Sequence, residues 1–155
     1  MLKQLLQTFN GRSCSRMTTV KDFQRQAVYK AEDECSFWLQ GKYFSEEEAD
    51  KLITQISEWA EIKKPDCQFN AVDKDGEIFP VAKGMAHSIV LPAFAMNESY
   101  ICHEMAHVIT YQRGEIDFHG PIFVNIYINI IRTILGYNYY KELLDRFKFY
   151  KIEGV

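Results

Sequence analysis

Two histidines four residues apart, with a glutamate following the first, are the residues of this chain best suited to do chemistry: His103-Glu104-Met105-Ala106-His107. On an α-helix, positions i and i+4 lie one above the other on the same face. Both imidazoles can therefore point at one metal ion, and Glu104, one position further round, can reach a water held there. A third histidine follows in His119-Gly120-Pro121-x-Phe123. Catalytic zinc takes three protein ligands and keeps one position open. His103, His107 and His119 meet that count with neutral nitrogens, which leave Zn2+ its full charge to lower the pKa of water from about 15.7 toward about 7. Glu104 is then the general base, taking the proton of the zinc-activated water and passing it to the leaving group. The natural electrophile is a backbone amide carbonyl. The expected partner is a peptide or protein, held in extended form along the edge of a strand at His87 to Leu91.

Other residues compete less well. Thr110 and Arg113 stand where the metzincin pattern needs Gly and His, so that pattern does not fit. Glu115 and Glu142 are alternative third ligands, ranked below His119 because such acids are usually solvated. His87 could assist an oxyanion, although a strand histidine beside turn residues is more often structural. Tyr111 and Arg113 end the motif helix and could face developing negative charge, with a surface position as the plainer reading. Asp117 could orient a ligating histidine. Cys102 adjoins the ligand but points into the core.

The elements that must position these groups follow from periodicity. Val20 to Leu39 reads as a helix with Phe23, Ala27, Val28, Ala31, Cys35, Trp38 and Leu39 on its apolar face, and Lys21, Arg25, Glu32 and Glu34 on its polar face. Ser45-Glu46-Glu47-Glu48 is a capping box opening a second helix to about Glu61, which buries Ala49, Leu52, Ile53, Ile56 and Trp59. Three short strands follow, Gln68 to Val72, Ile78 to Ala82 and Ala86 to Leu91, with Asp75-Gly76 and Lys83-Gly84 as the turns. Asn97 caps the motif helix and Gly114 ends it. Pro121 fits the first turn of a largely apolar helix to about Leu135, and Tyr139 to Phe149 forms the last one. The fold class is α+β: N-terminal helices, a small, mostly antiparallel sheet, the motif helix and C-terminal helices.

Bulk composition agrees. At 155 residues, 47% hydrophobic, the chain is long enough for one domain with a real core, expected over residues 19–150. Residues 1–18 read as a dispensable extension whose apolar run is too short and polar for a secretory signal. The net charge of −3 lacks the footprint of a nucleic-acid binder. A reading with Lys63, Lys64 and Lys83 as nucleic-acid contacts therefore ranks low. Cys14, Cys35, Cys67 and Cys102 form no Cys-x-x-Cys pair and are expected as free thiols in a reducing compartment. With no segment apolar enough to span a membrane, the expectation is a soluble cytoplasmic protein.

The residues His103-Glu-Met-Ala-His107 and His119-Gly-Pro-Ile-Phe123, with Asp22-Phe-Gln-Arg25-Gln-Ala-Val28-Tyr29 upstream, resemble the small zincin-like metallohydrolases of bacterial and phage genomes. The resemblance runs from about Thr19 to about Leu135. More distantly the chain is similar to SprT-like proteases, but it lacks the cysteines of their zinc ribbon. The resemblance implies a zincin-like minimal metallopeptidase fold, zinc on His103, His107 and His119, and Glu104 as base. It implies no DNA-linked substrate. The rival reading is a non-catalytic module in which zinc staples two helices. That reading demands a fourth protein ligand, with Glu115, Asp117 or His87 as candidates.

Overall fold

The computed structural model describes residues 22–39 and 41–155. The proposed extension at 1–18, Cys14, Val20, Lys21 and the side chain of Leu39 lie outside the described residues. The described residues are α+β, with six helices and a small three-stranded mixed sheet.

The first expected helix is two. Helix α1 (Arg25–Asp33) ends, and a short α2 (Ser36–Leu39) starts after a break at Glu34 and Cys35. The Ser36 amide and hydroxyl both donate to the Glu142 carboxylate at 2.7 Å. Glu142 thus serves as a remote cap for α2 and is no metal ligand. Val28, Ala31 and Cys35 are fully buried as the spacing requires, but Phe23, in the turn before α1, is 63% exposed. Glu32, expected on the solvent face, is buried.

Helix α3 (Glu46–Trp59) carries the full capping box. The Glu48 amide donates to Ser45 Oγ, and the Ser45 amide to the Glu48 carboxylate. Ala49, Leu52, Ile53 and Ile56 are buried; Trp59, at the helix end, is half-exposed.

The sheet departs from expectation. Strands β1 (Asp66–Phe69), β2 (Lys83–Gly84) and β3 (Ser88–Leu91) lie in the order β1-β3-β2. β1 runs parallel to β3, pairing Asp66 with Ser88 through Phe69 with Leu91, and β2 runs antiparallel to β3. The sheet is therefore mixed rather than mostly antiparallel. Residues 78–82 form no strand; a single bridge between Val72 and Ile78 closes a turn in which Asp73 Oδ1 accepts from the amides of Asp75 and Glu77. A parallel pair needs a long connection, and the excursion between β1 and β2 supplies it, which local alternation does not reveal. Lys83-Gly84, read as a turn, is the strand itself. β3 is paired on both sides, so the edge pairing expected at His87 to Leu91 has no free edge there.

Helix α4 (Glu98–Gln112) carries the motif and is the spine of the molecule. Asn97 Oδ1 accepts the Tyr100 amide at 3.0 Å, and Gly114, at φ 82°, takes the left-handed conformation that ends the helix. All of residues 101–110 are buried, because α3, the sheet and α5 (Pro121–Ile134) pack on the helix and Tyr29 and Glu32 of α1 reach His103, while α6 (Tyr137–Phe149) packs on α5 and α1. The chain beyond α6 stays with this core: Ile152 is buried. Among the described residues no helix is long and apolar enough to cross a membrane.

β2 meets α4 at one point. A Cβ added to Gly84 would stand 2.2 Å from the Glu104 carbonyl oxygen. Gly→Ala in extended backbone ordinarily stabilises through the unfolded chain. At Gly84 the sign should reverse, with Gly84→Ala losing about 1–3 kcal/mol by overpacking. Urea unfolding followed by circular dichroism checks this as a lower midpoint; an unchanged or raised midpoint would deny the close approach.

Candidate metal centre

The i and i+4 spacing on α4 places the rings of His103 and His107 5.1 Å apart between centroids. His119 arrives from the loop before α5, and its Nε2 lies 3.1 Å from His103 Nε2 and 3.3 Å from His107 Nε2. The ligand atoms of the three fall within 4.8 Å of one another, and all three residues are buried. Tetrahedral zinc with bonds of about 2.0–2.1 Å separates its ligand nitrogens by about 3.3–3.4 Å. The two separations from His119 Nε2, 3.1 and 3.3 Å, are close to that spacing.

Two carboxylates, Glu32 buried and Asp22 partly so, decide which nitrogen of each ring carries a proton. His103 Nδ1 is 2.5 Å from Glu32 Oε1, and His119 Nδ1 is 2.5 Å from Asp22 Oδ2. A nitrogen facing a carboxylate oxygen must be the N–H. In the neutral rings the Nε2 lone pairs then face each other at 3.1 Å, an arrangement that repels unless a cation lies between them. This donor set fits a divalent metal ion with nitrogen preference. His107 Nδ1 is buried without a hydrogen-bond partner among the described residues.

Without metal, the three rings titrate differently. Burial, reinforced by His103 and His119, holds His107 well below the usual imidazole range. Burial also lowers His119, against the pull of Asp22. For His103 burial works downward, but Glu32, Glu104 and Asp22 outweigh it, and the net direction is up.

Aromatic packing fixes the rings from below. Phe123, fully buried on α5, stacks on His107 at 4.3 Å and meets His119 at 4.9 Å and His103 at 5.1 Å. Asp117 does not orient a histidine as expected; its carboxylate accepts the Phe123 amide at 2.9 Å and so anchors the start of α5. Gln24, buried, donates to the His119 carbonyl at 2.8 Å and binds the Glu153 backbone, tying the ligand loop to the C-terminal tail.

Glu104 is buried between the centre and β2. Its Oε2 accepts the Gly84 amide at 2.7 Å. Burial raises its pKa, partly offset by His103 and by the Gly84 hydrogen bond. Two cavities, of about 320 Å³ and about 300 Å³, adjoin at Glu104 and share Tyr29, Val81 and Ala82. They make a groove with α4 as floor, residues 80–85 as one wall and α1 with Asp22 as the other. Tyr29 contacts two of the histidines, with ring centroids 5.9 Å from His103 and 5.1 Å from His119.

The remaining candidates stand elsewhere. His87, Arg113 and Glu115 are exposed and take no part in the cluster. Tyr111 lines the groove and stacks beside His107. Cys102 is buried in the core, and burial raises its thiol; Cys35, Cys67 and Cys102 are all free. Asp22, Glu32, Gln24 and Tyr29 were missed as site residues, although Asp22, Arg25, Tyr29 and Glu32 recur at spacings of three and four. That signal marks one face of a helix.

No protein-family model matches the chain. No curated protein matches it, and no solved structure does.

Removing either orienting carboxylate should loosen the centre. Asp22→Asn and Glu32→Gln should each weaken zinc binding about 10–100-fold, read by competition with a chelating dye on samples whose melting curves show a folded protein. Affinity within about twofold of wild type would remove the orienting role. Because His103, held above the usual imidazole range, must shed a proton before its Nε2 can ligate, zinc binding should release a proton and should weaken as the pH falls into the imidazole range. Calorimetry in buffers of different ionisation enthalpy reads that proton directly.

Proposed function

We propose that the chain is a zinc-dependent hydrolase with a zincin-like arrangement, and that it cleaves a peptide bond with Glu104 as general base. The observation that carries this reading is the convergence of three Nε2 lone pairs beside one buried carboxylate at the floor of an open groove. A bound Zn2+ would supply a Lewis acid that brings water toward ionisation at ordinary pH. His103, His107 and His119 would hold the ion, with two of the three rings set by Glu32 and Asp22.

The chain's own residues account for the rest. Gly84 N–H holds Oε2 of Glu104, which leaves Oε1 to accept a proton and later deliver it to the leaving nitrogen. A pKa raised by burial moves the carboxyl toward the range in which it can do both. Backbone groups alternate along a strand. The Met85 amide donates to Ser88 of the neighbouring strand, whereas the Gly84 amide points the other way, to Glu104. Ala82, the residue before β2, lines both lobes of the groove. An extended peptide can pair there, on the β2 side of the sheet, rather than on β3.

A zinc staple would need a fourth side chain. Among the described residues no fourth histidine, cysteine or acid joins the three, while Asp117 is committed to α5.

Zinc-loaded Glu104→Gln should keep its metal, one ion per chain by mass spectrometry, and lose hydrolysis of a responsive peptide by about 10²-fold or more. Full metal content with undiminished cleavage would strip Glu104 of its role.

A further inference from the structure

The two lobes of the groove differ in chemistry, and the difference bears on the substrate. The lobe on the His107 and His119 side carries Arg25 and Lys83. The lobe on the His103 side is walled by Trp38, Pro80, Val81, Phe94 and Tyr100 and contains no cationic side chain. Its aromatic rings run together: Trp38 and Tyr100 are 5.0 Å apart, Phe94 and Tyr100 5.7 Å, and Trp38 stands 6.1 Å from the ring of His103. The apolar wall thus begins at a metal ligand.

These side chains come from α2, the loop before β2, the 3-10 turn Ala93–Ala95 and α4. Folding leaves several of them in water. Val81 is 61% exposed and Phe94 41%. Exposed apolar surface gathered beside a reactive centre marks a surface that is covered in use.

We infer that this lobe receives a bulky apolar side chain, aromatic by preference, from the residue next to the bond being cut. The inference rests on the hydrolase reading and gives it a substrate class: unfolded or extended peptides carrying a large apolar residue at the cleavage position. An aromatic ring entering the lobe meets the rings of Trp38, Phe94 and Tyr100, which contributes beyond the area it buries. An acidic side chain would lose its water beside Asp33 and Glu104, the two carboxylates of the lobe, and is rejected. A basic side chain gains little, because Asp33 is exposed and a pair formed in water contributes little.

The experiment uses the full chain loaded with zinc. Glu104→Gln protein is titrated against fluorescent peptides identical except for Phe, Ala, Glu or Lys at one central position, with binding read by anisotropy. Wild type is profiled in parallel for cleavage of a mixed peptide pool. Phe should bind about tenfold or more tighter than Ala, with Glu weakest. Phe94→Ala in the same background should shrink the Phe-over-Ala ratio several-fold at unchanged zinc content. Cuts by wild type should cluster beside large apolar residues. Equal binding of Phe and Ala, a preference for Lys, or a ratio unmoved by Phe94→Ala overturns the lobe's assignment, even where cleavage is observed. A Phe preference in binding without cleavage of any peptide by wild type sustains the lobe and sinks the hydrolase reading instead.

Discussion

A carboxylate taken out of water must find compensation nearby, because desolvation disfavours its charge by several kcal/mol even after the protein relaxes, on the order of the whole stability of a small domain. Glu32, Glu104 and Asp22 stand around the same histidine cluster, Glu32 and Glu104 buried and Asp22 nearly so. Around them are three imidazoles, two of which burial holds toward neutrality. With all three rings neutral, a divalent cation between the Nε2 atoms would offset two of the three carboxylate charges and would relieve the facing lone pairs of His103 and His119, so charge balance and geometry favour the same occupant.

The rest of the molecule follows from keeping that cluster in place. The ligands come from α4 and the loop before α5, and their orienting acids come from a segment some seventy to a hundred residues earlier in the chain. Packing must therefore bring α1 across the motif helix before either carboxylate can act. Val28, Ala31 and Cys35 provide the apolar face that docks α1, and the Ser36–Glu142 cap fixes where it breaks. Phe123 serves α5 and the three rings at once, so the core and the site share side chains rather than merely adjoining.

Much of this is legible in residue order, within a definite limit. Caps are local chemistry, and Ser45, Asn97, Gly114 and Pro121 mark helix ends where the structure has them. His103, His107 and His119 are legible because a metal centre demands particular donors at particular spacing. Glu32 reads as a solvent-facing residue because periodicity identifies a helix face without saying what the face meets. The parallel pairing of β1 with β3 was unreadable for a similar reason: it depends on where a long excursion returns. Gly84 looks like a turn residue by type, and only the tertiary contact with Glu104 explains why a strand needs glycine there.

That contact also links binding to chemistry. β2 holds Glu104 through the Gly84 amide, and the neighbouring Ala82 lines the groove. A peptide pairing with Ala82 would therefore lean on the same two or three residues that fix the orientation of the base. Any shift of β2 on pairing moves the Gly84 amide relative to Oε2, and so changes how freely the carboxylate can take a proton. The steric limit at Gly84 keeps such a shift small, since the strand already touches the helix backbone. On the proposed hydrolase reading, a short edge strand pressed against the motif helix would serve as a rigid rail, accepting a substrate strand on one side while holding Glu104 in register on the other.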